Sequence, residues 1–177
     1  MATSGAKFLV TGLPGSGKTT LVEKIISGLG SEITMSGFIT REIRVEGQRL
    51  GFELRSLDGR LATLSHVNLK TPHRVGKYRV DLAGFENFLA SIKFFAPEVR
   101  LVVVDEIGKM ECLSDRFREI VLKLLSGPTA LLATIALHGS PFMERIKTSP
   151  GVQVFEISPA NREDLGRQLL ARIRAKL

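Results

Sequence analysis

Gly12-Leu13-Pro14-Gly15-Ser16-Gly17-Lys18-Thr19 decides the fold class, because it fits G-x-x-x-x-G-K-[ST], a loop that cradles phosphates. Each fixed position has a physical task. The glycines permit backbone angles that turn successive N–H groups inward, making a nest for phosphate oxygens. The helix expected to start near Lys18 aims the positive end of its dipole at the same anion. Lys18 reaches the β- and γ-phosphates as a point charge, and the Thr19 hydroxyl is a ligand for Mg²⁺. The candidate nucleotide-binding residues are therefore Gly12, Leu13, Pro14, Gly15, Ser16, Gly17, Lys18, Thr19 and the adjoining Thr20. The context agrees with the motif. An apolar run at 7–10 precedes the loop, and Leu21, Val22, Ile25, Ile26 and Leu29 follow at helical spacing, closed by Gly28 and Gly30.

Beyond this strand, loop and helix the texture turns to β from 33 to 79, with strands expected at 37–45, 49–56 and 60–65. Glu46-Gly47-Gln48 and Asp58-Gly59 mark the turns. This segment reads as an antiparallel hairpin set inserted into the chain. Helical periodicity resumes at 82–95 and breaks at Pro97. The run 101–104 is a continuous apolar strand of the kind buried in parallel sheets. A helix at 115–125, a strand at 130–135, a helix at 141–147 and a strand at 152–157 follow. The last helix is expected at 159–177, with Ser158 as N-cap and Pro159 in its first position. Strands alternating with helices predict an α/β fold, a mostly parallel sheet flanked by helices. Residues 1–177 read as one domain, a usual size for a single core.

A phosphate loop needs a carboxylate at the tip of a buried strand, and Leu101-Val102-Val103-Val104-Asp105-Glu106 supplies one. Asp105 stands where an aspartate would support the Mg²⁺ shell. Glu106, directly behind it, is the candidate to polarise an attacking water; its bland alternative is a helix-entry or ion-paired residue. Catalytic candidates are thus Lys18 and Glu106, and metal-site candidates Thr19 and Asp105.

Composition bounds the partners. Of 177 residues, 44% are hydrophobic and 24% charged, ordinary for a globular protein. One cysteine, Cys112, cannot close an internal disulfide and reads as a small semi-buried thiol. His66, His73 and His138 lack metal-ligand spacing. The longest apolar-rich stretch, 129–137, is too short to span a bilayer, and the first residues lack the apolar core of a signal peptide, so a cytoplasmic protein is expected. A net charge of +7 invites polyanion binding, yet the Lys and Arg are dispersed, so nucleic-acid affinity is expected to be weak.

The loop 12–20, the run Gly37-Phe38-Ile39-Thr40-Arg41-Glu42-Ile43-Arg44 with Gly51-Phe52 beyond it, and Asp105-Glu106-Ile107-Gly108-Lys109-Met110-Glu111 together resemble the small nucleoside-triphosphatases first known from thermophiles. A vertebrate relative is called cancer-related nucleoside-triphosphatase. Val75-Gly76-Lys77-Tyr78-Arg79-Val80-Asp81, Ala133-Thr134-Ile135 and Asn161-Arg162 are similar to that family's segments in the same order. The resemblance spans essentially the whole chain. It implies a RecA-like P-loop fold and hydrolysis of several nucleoside triphosphates, ATP and GTP among them, to diphosphate and phosphate. One departure is Ala136, where the family often has proline.

In a RecA-like sheet the Thr134 strand lies between the strands carrying Lys18's loop and Asp105. Its hydroxyl is then either a γ-phosphate sensor or a locally bonded group. Arg41, Arg44 and Lys109 are candidates to neutralise transition-state charge, or ordinary surface cations. Asn161-Arg162-Glu163-Asp164 resembles a guanine-reading motif, but helix-start chemistry explains it as well. Two other functions fit the loop. A phosphotransferase would hold a nucleoside, nucleotide or RNA acceptor on 33–79, and a nucleotide-gated module would bind RNA or protein.

Overall fold

A computed structural model describes residues 5–177. The first apolar run forms β1 (Lys7–Thr11), buried at every position, and the glycine loop leads into α1 (Lys18–Leu29). Then come β2 (Met35–Val45), β3 (Gln48–Ser56), β4 (Leu61–His66) and the short β5 (Arg74–Val75) and β6 (Tyr78–Val80). After α2 (Leu82–Ser91), β7 (Leu101–Ile107) leads through a 3₁₀ turn (Glu111–Leu113) into α3 (Asp115–Ser126). The chain closes with β8 (Ala130–Ile135), α4 (Pro141–Lys147), β9 (Val152–Glu156) and α5 (Arg162–Arg174).

The strands form one nine-stranded sheet in the order β5-β6-β4-β3-β2-β7-β8-β1-β9. From β2 to β9 the pairs are parallel, and from β5 to β2 they are antiparallel. The β-rich segment is therefore continuous with the parallel sheet. β2 belongs to both parts: Met35 to Phe38 run parallel to Leu101 to Val104, and Phe38 onward pairs antiparallel with β3. Gly37 makes the change of partner possible. Its φ is +124°, and a Cβ there would stand 1.9 Å from the Val103 carbonyl oxygen.

Alternation along the central strands builds two cores. Phe8, Val10, Leu101, Val103 and Leu132 face α1 and α5, meeting Leu21, Val22, Ile25, Leu165 and Leu169. Leu9, Val102, Val104, Leu131 and Ala133 face the other helices. On that side Phe38 packs among Phe85, Phe88 and Phe117, with ring centroids 5.8–6.4 Å apart. Burying each such ring is worth roughly 1.5–3 kcal/mol. At the end of the sheet away from the loop, buried Lys7 donates to the Gly127 and Thr129 carbonyls at 2.9 and 2.6 Å. Burial lowers its pKa to about 8.

Two helix limits differ from the sequence expectation. α2 stops at Ser91, not at 95, because Ile92 turns extended and Phe94 folds back into the core beside Val99. α5 begins at Arg162, not at 159. Residues 158–161 make a separate turn in which Asn161 Oδ1 accepts from the Ser158 N–H at 2.8 Å, so Ser158 is not the N-cap. Pro159 occupies that turn, where its fixed φ is favoured. No helix among the described residues is long and apolar enough to cross a membrane.

Candidate functional site

Three neighbouring strands, β1, β8 and β7, end on the same edge of the sheet, which brings residues distant in sequence together. Between β1 and α1 the loop turns through Gly15 at φ +77° and Gly17 at φ +95°. A Cβ at either would meet nothing within 4 Å, so the backbone angle, not space, calls for glycine there. The Ser16 N–H closes the turn on the Leu13 carbonyl at 3.1 Å. Leu13, Pro14, Gly15 and Thr20 are exposed, while Gly12 and Ser16 are buried. Among the described residues the Ser16 hydroxyl has no hydrogen-bond partner, an unpaired polar group inside the loop.

Lys18 is buried beneath this loop. Its Nζ donates to the Gly12 and Leu13 carbonyls at 3.0 and 3.3 Å, and Glu106 Oε2 lies 3.8 Å away. Asp105, only 1% exposed, is held from three elements. The Thr19 hydroxyl of α1 donates to its Oδ2 at 2.7 Å, and the Thr134 hydroxyl of β8 donates to Oδ1. From β2, the Thr40 N–H approaches Oδ2 at 3.4 Å and the Thr40 hydroxyl bonds the Asp105 carbonyl. Burial raises the Asp105 pKa, against the downward pull of Thr134, Thr19, Thr40 and the Lys18 charge. Glu106 is less enclosed, at 34% side-chain exposure. Burial raises its pKa too, Lys18 opposing and Asp105 reinforcing.

The expected residues converge: the loop, Lys18, Thr19, Asp105, Glu106 and Thr134 share one edge, with β8 between β7 and β1. The Thr134 hydroxyl is committed to Asp105, the locally bonded alternative. The candidate cations differ in their surroundings. Arg41 pairs with Glu23 of α1, Arg44 is tied to Glu42 and Gly47 at the tip of the β2–β3 hairpin, and Lys109 is exposed in the turn after β7. The Asn161 amide is spent on structure, its Nδ2 donating to the Glu156 carbonyl at 2.9 Å. Arg162, by contrast, lines a cleft of about 250 Å³ beside the loop with Gly17, Thr20, Leu21, Lys24 and Glu163.

Two residues gain a place here that sequence reasoning did not assign. Thr40 fastens Asp105 from the neighbouring strand, and Glu111 brings a buried carboxyl under the turn that follows Glu106. Ala136, the departure from the family pattern, donates its N–H to the Ile107 carbonyl at 3.3 Å, a bond proline cannot make.

Among the described residues no three His, Cys, Asp or Glu side chains gather as a metal cluster. A nucleotide-bound Mg²⁺ does not require one, since it takes one or two protein oxygens and completes its shell with waters and phosphates. Thr19 Oγ1 and Asp105 are hard oxygen donors that already meet at 2.7 Å.

The model of the NTPase family matches residues 7–170. A nucleoside-triphosphatase THEP1 from Thermotoga petrophila is 44% identical, the match covering 93% of this chain and 90% of that one. The human cancer-related nucleoside-triphosphatase is 40% identical over 88% of this chain and 90% of its own. The crystal structure of THEP1 from the hyperthermophile Aquifex aeolicus superposes with a TM-score of 0.82 at 30% identity, covering 94% of this chain and 98% of that one. The solution structure of the human protein gives 0.82 at 35% identity, over 97% and 99%. From Lys7 in β1 to Leu170 in α5, the chain belongs to the NTPase family of P-loop proteins.

Proposed function

We propose that the protein hydrolyses nucleoside triphosphates to the diphosphate and phosphate with Mg²⁺, accepting ATP, GTP and pyrimidine triphosphates alike. One observation carries this reading. A glycine loop with an exposed rim, a buried lysine beneath it and two carboxylates in different surroundings meet at adjoining strand ends. Lys18 exchanges the Gly12 and Leu13 carbonyls for β- and γ-phosphate oxygens, and the unpaired Ser16 hydroxyl adds a donor inside the nest. Thr19 and Asp105 would hold Mg²⁺, with Thr134 and Thr40 keeping the Asp105 carboxylate aimed. Bound there, Mg²⁺ would supply neutralisation of phosphate charge.

Glu106 does the chemistry on water. As the water oxygen bonds to the γ-phosphorus, the bond to the β–γ bridging oxygen breaks, and Glu106 takes up the proton released. Positioning and charge stabilisation supply the acceleration. The cleft beside the loop supports breadth toward the base. Arg162 offers a planar face that stacks on any base, and the Asn161 amide, bonded through its oxygen to Ser158 and through one N–H to Glu156, keeps a single N–H for a purine. The test is phosphate release from ATP, GTP, CTP and UTP, with Mg²⁺ and with chelator, alone and with nucleoside and RNA acceptors. Release from all four without an acceptor is expected. Release only in the presence of an acceptor would make the protein a phosphotransferase instead.

A further inference from the structure

Glu111 is a carboxylate in an uncommon place, 5% exposed and, among the described residues, without a cation beside it. It follows Gly108-Lys109-Met110, where the Cys112 N–H closes the turn on the Gly108 carbonyl at 3.0 Å. The bare α-carbon of Gly108 separates it from Glu106. A Cβ at that glycine would sit 2.8 Å from Glu111 Oε2 and 3.0 Å from Glu106 Oε1. The two carboxyl oxygens are therefore no further apart than those two distances end to end, a span that a single water bridges. A side chain at Gly108 would wedge them apart.

We propose that Glu111 is a positioning residue for Glu106, its carboxyl packing across Gly108 to fix the direction in which Glu106 faces the phosphate loop. The inference rests on Glu106 as the residue that handles water. Glu106 is the more exposed of the pair and its other neighbour is Lys18 at 3.8 Å. Held between Lys18 and Glu111, its carboxylate has one orientation, as a base must before a water can be held in line.

The charges around Glu111 support a neutral acid in this role. From β7 it faces the Glu106 and Asp105 carboxyls, whose charge disfavours its own. In its own turn lie exposed Lys109 and the Cys112 thiol, itself pushed up to about 12 by burial first and Glu111 second. From α3, Arg118 is turned away onto the Cys112 carbonyl and Asp115, and Glu86 of α2 is bonded to Ser114. Burial, with Glu106 adding to it, raises the Glu111 pKa to about 8. Below that pH, Glu111 carries the proton that a hydrogen bond toward Glu106 requires, directly or through a water. Above it, Glu111 adds a negative charge beside the Asp105 and Glu106 carboxyls.

Steady-state hydrolysis of MgATP across pH, with thermal unfolding of each variant, tests the assignment on Glu111→Ala, Glu111→Gln and Glu106→Gln. Glu111→Ala is expected to lose about tenfold or more in kcat at neutral pH while KM stays within about threefold, the pattern of a misaimed group. Glu111→Gln, neutral and of the same shape, should recover most of that loss. It should also lack the alkaline fall in kcat that wild type shows as Glu111 ionises. A wild-type kcat in Glu111→Ala, or an alkaline fall unchanged in Glu111→Gln, would overturn the proposal. Should the alanine variant not fold, the glutamine pH profile decides alone. Normal hydrolysis by Glu106→Gln would instead remove the reading on which the inference rests, so the two failures are distinct.

Discussion

Asp105 and Glu106 are consecutive carboxylates whose surroundings separate them. One is 1% exposed and bonded by three threonines; the other has 34% of its side chain open and a lysine close by. Substitution by the isosteric amide should therefore give two different phenotypes. Glu106→Gln is expected to bind MgATP about as tightly as wild type and lose at least ~10²-fold in turnover, as for loss of a general base. Asp105→Asn should lose nucleotide affinity and Mg²⁺ dependence together; binding and single-turnover measurements separate the outcomes. Identical phenotypes would show that the two carboxylates share one task. Lys18, Thr19 and Asp105 were legible in the sequence because their chemistry lies in short local patterns. Thr40 and Glu111 were not, since their partners arise from the β2–β7 register and from a turn around Gly108. Glu111 also makes a stability prediction. Its pKa in the fold stands above the ordinary 4.5, at about 8. Below about pH 4.5 both states hold the proton. Between 4.5 and 8 the unfolded chain releases it first, so stability falls as pH rises through that window. Glu111→Gln removes this titration. Its melting temperature relative to wild type should rise from pH 5 to pH 8, and a constant difference would refute the assignment.

Among the elements, the parallel strands and helix α1 follow from continuous apolar runs and 3.6-residue spacing, and these were legible. The ends of α2 and α5 were not. Phe94 belongs to the helical pattern, but its burial beside Val99 requires the chain to leave the helix at Ser91. At the other end of the chain, Asn161 uses both halves of its amide to join β9 to α5, accepting from the Ser158 N–H and donating to the Glu156 carbonyl. Its likeness to a guanine-reading motif thus has a local cause. Asn161→Ala should lower stability by about 1–2 kcal/mol for the two lost bonds, while the relative KM values for ATP and GTP stay unchanged. Thermal unfolding and competition between the two nucleotides measure both effects. Altered selectivity with unaltered stability would return Asn161 to the base site. The dual pairing of β2 was also hidden, because a hairpin strand and a parallel strand share one β-branched texture and only the register at Gly37 tells them apart.

At the scale of the whole molecule, the question is whether a net charge of +7 makes this a nucleic-acid-binding protein. Affinity for a polyanion comes from cations that release counterions together, so their grouping matters more than their number. Several of the exposed cations are engaged elsewhere. Arg41 is held by Glu23, Arg44 and Arg49 by Glu42, Arg60 by Asp58, Lys24 by Glu163 and Arg167 by Asp164. Such exposed pairs are worth about 0–1 kcal/mol each, too little to forbid a phosphate from displacing a carboxylate, yet each adds a like charge that repels the strand. The aromatic faces on the antiparallel wing are similarly occupied: Phe52 and Tyr78 pack edge to face with the Arg49 guanidinium against both, leaving little platform for stacking bases. RNA and DNA are therefore expected to bind weaker than about 1 µM at physiological salt, without sequence preference and with a steep loss as salt rises. Fluorescence anisotropy with labelled single strands and duplexes over a salt series provides the measurement, run with and without nucleotide. Tight, sequence-selective binding that persists in salt, or appears only with a bound triphosphate, would mean that hydrolysis serves to reset a nucleic-acid complex.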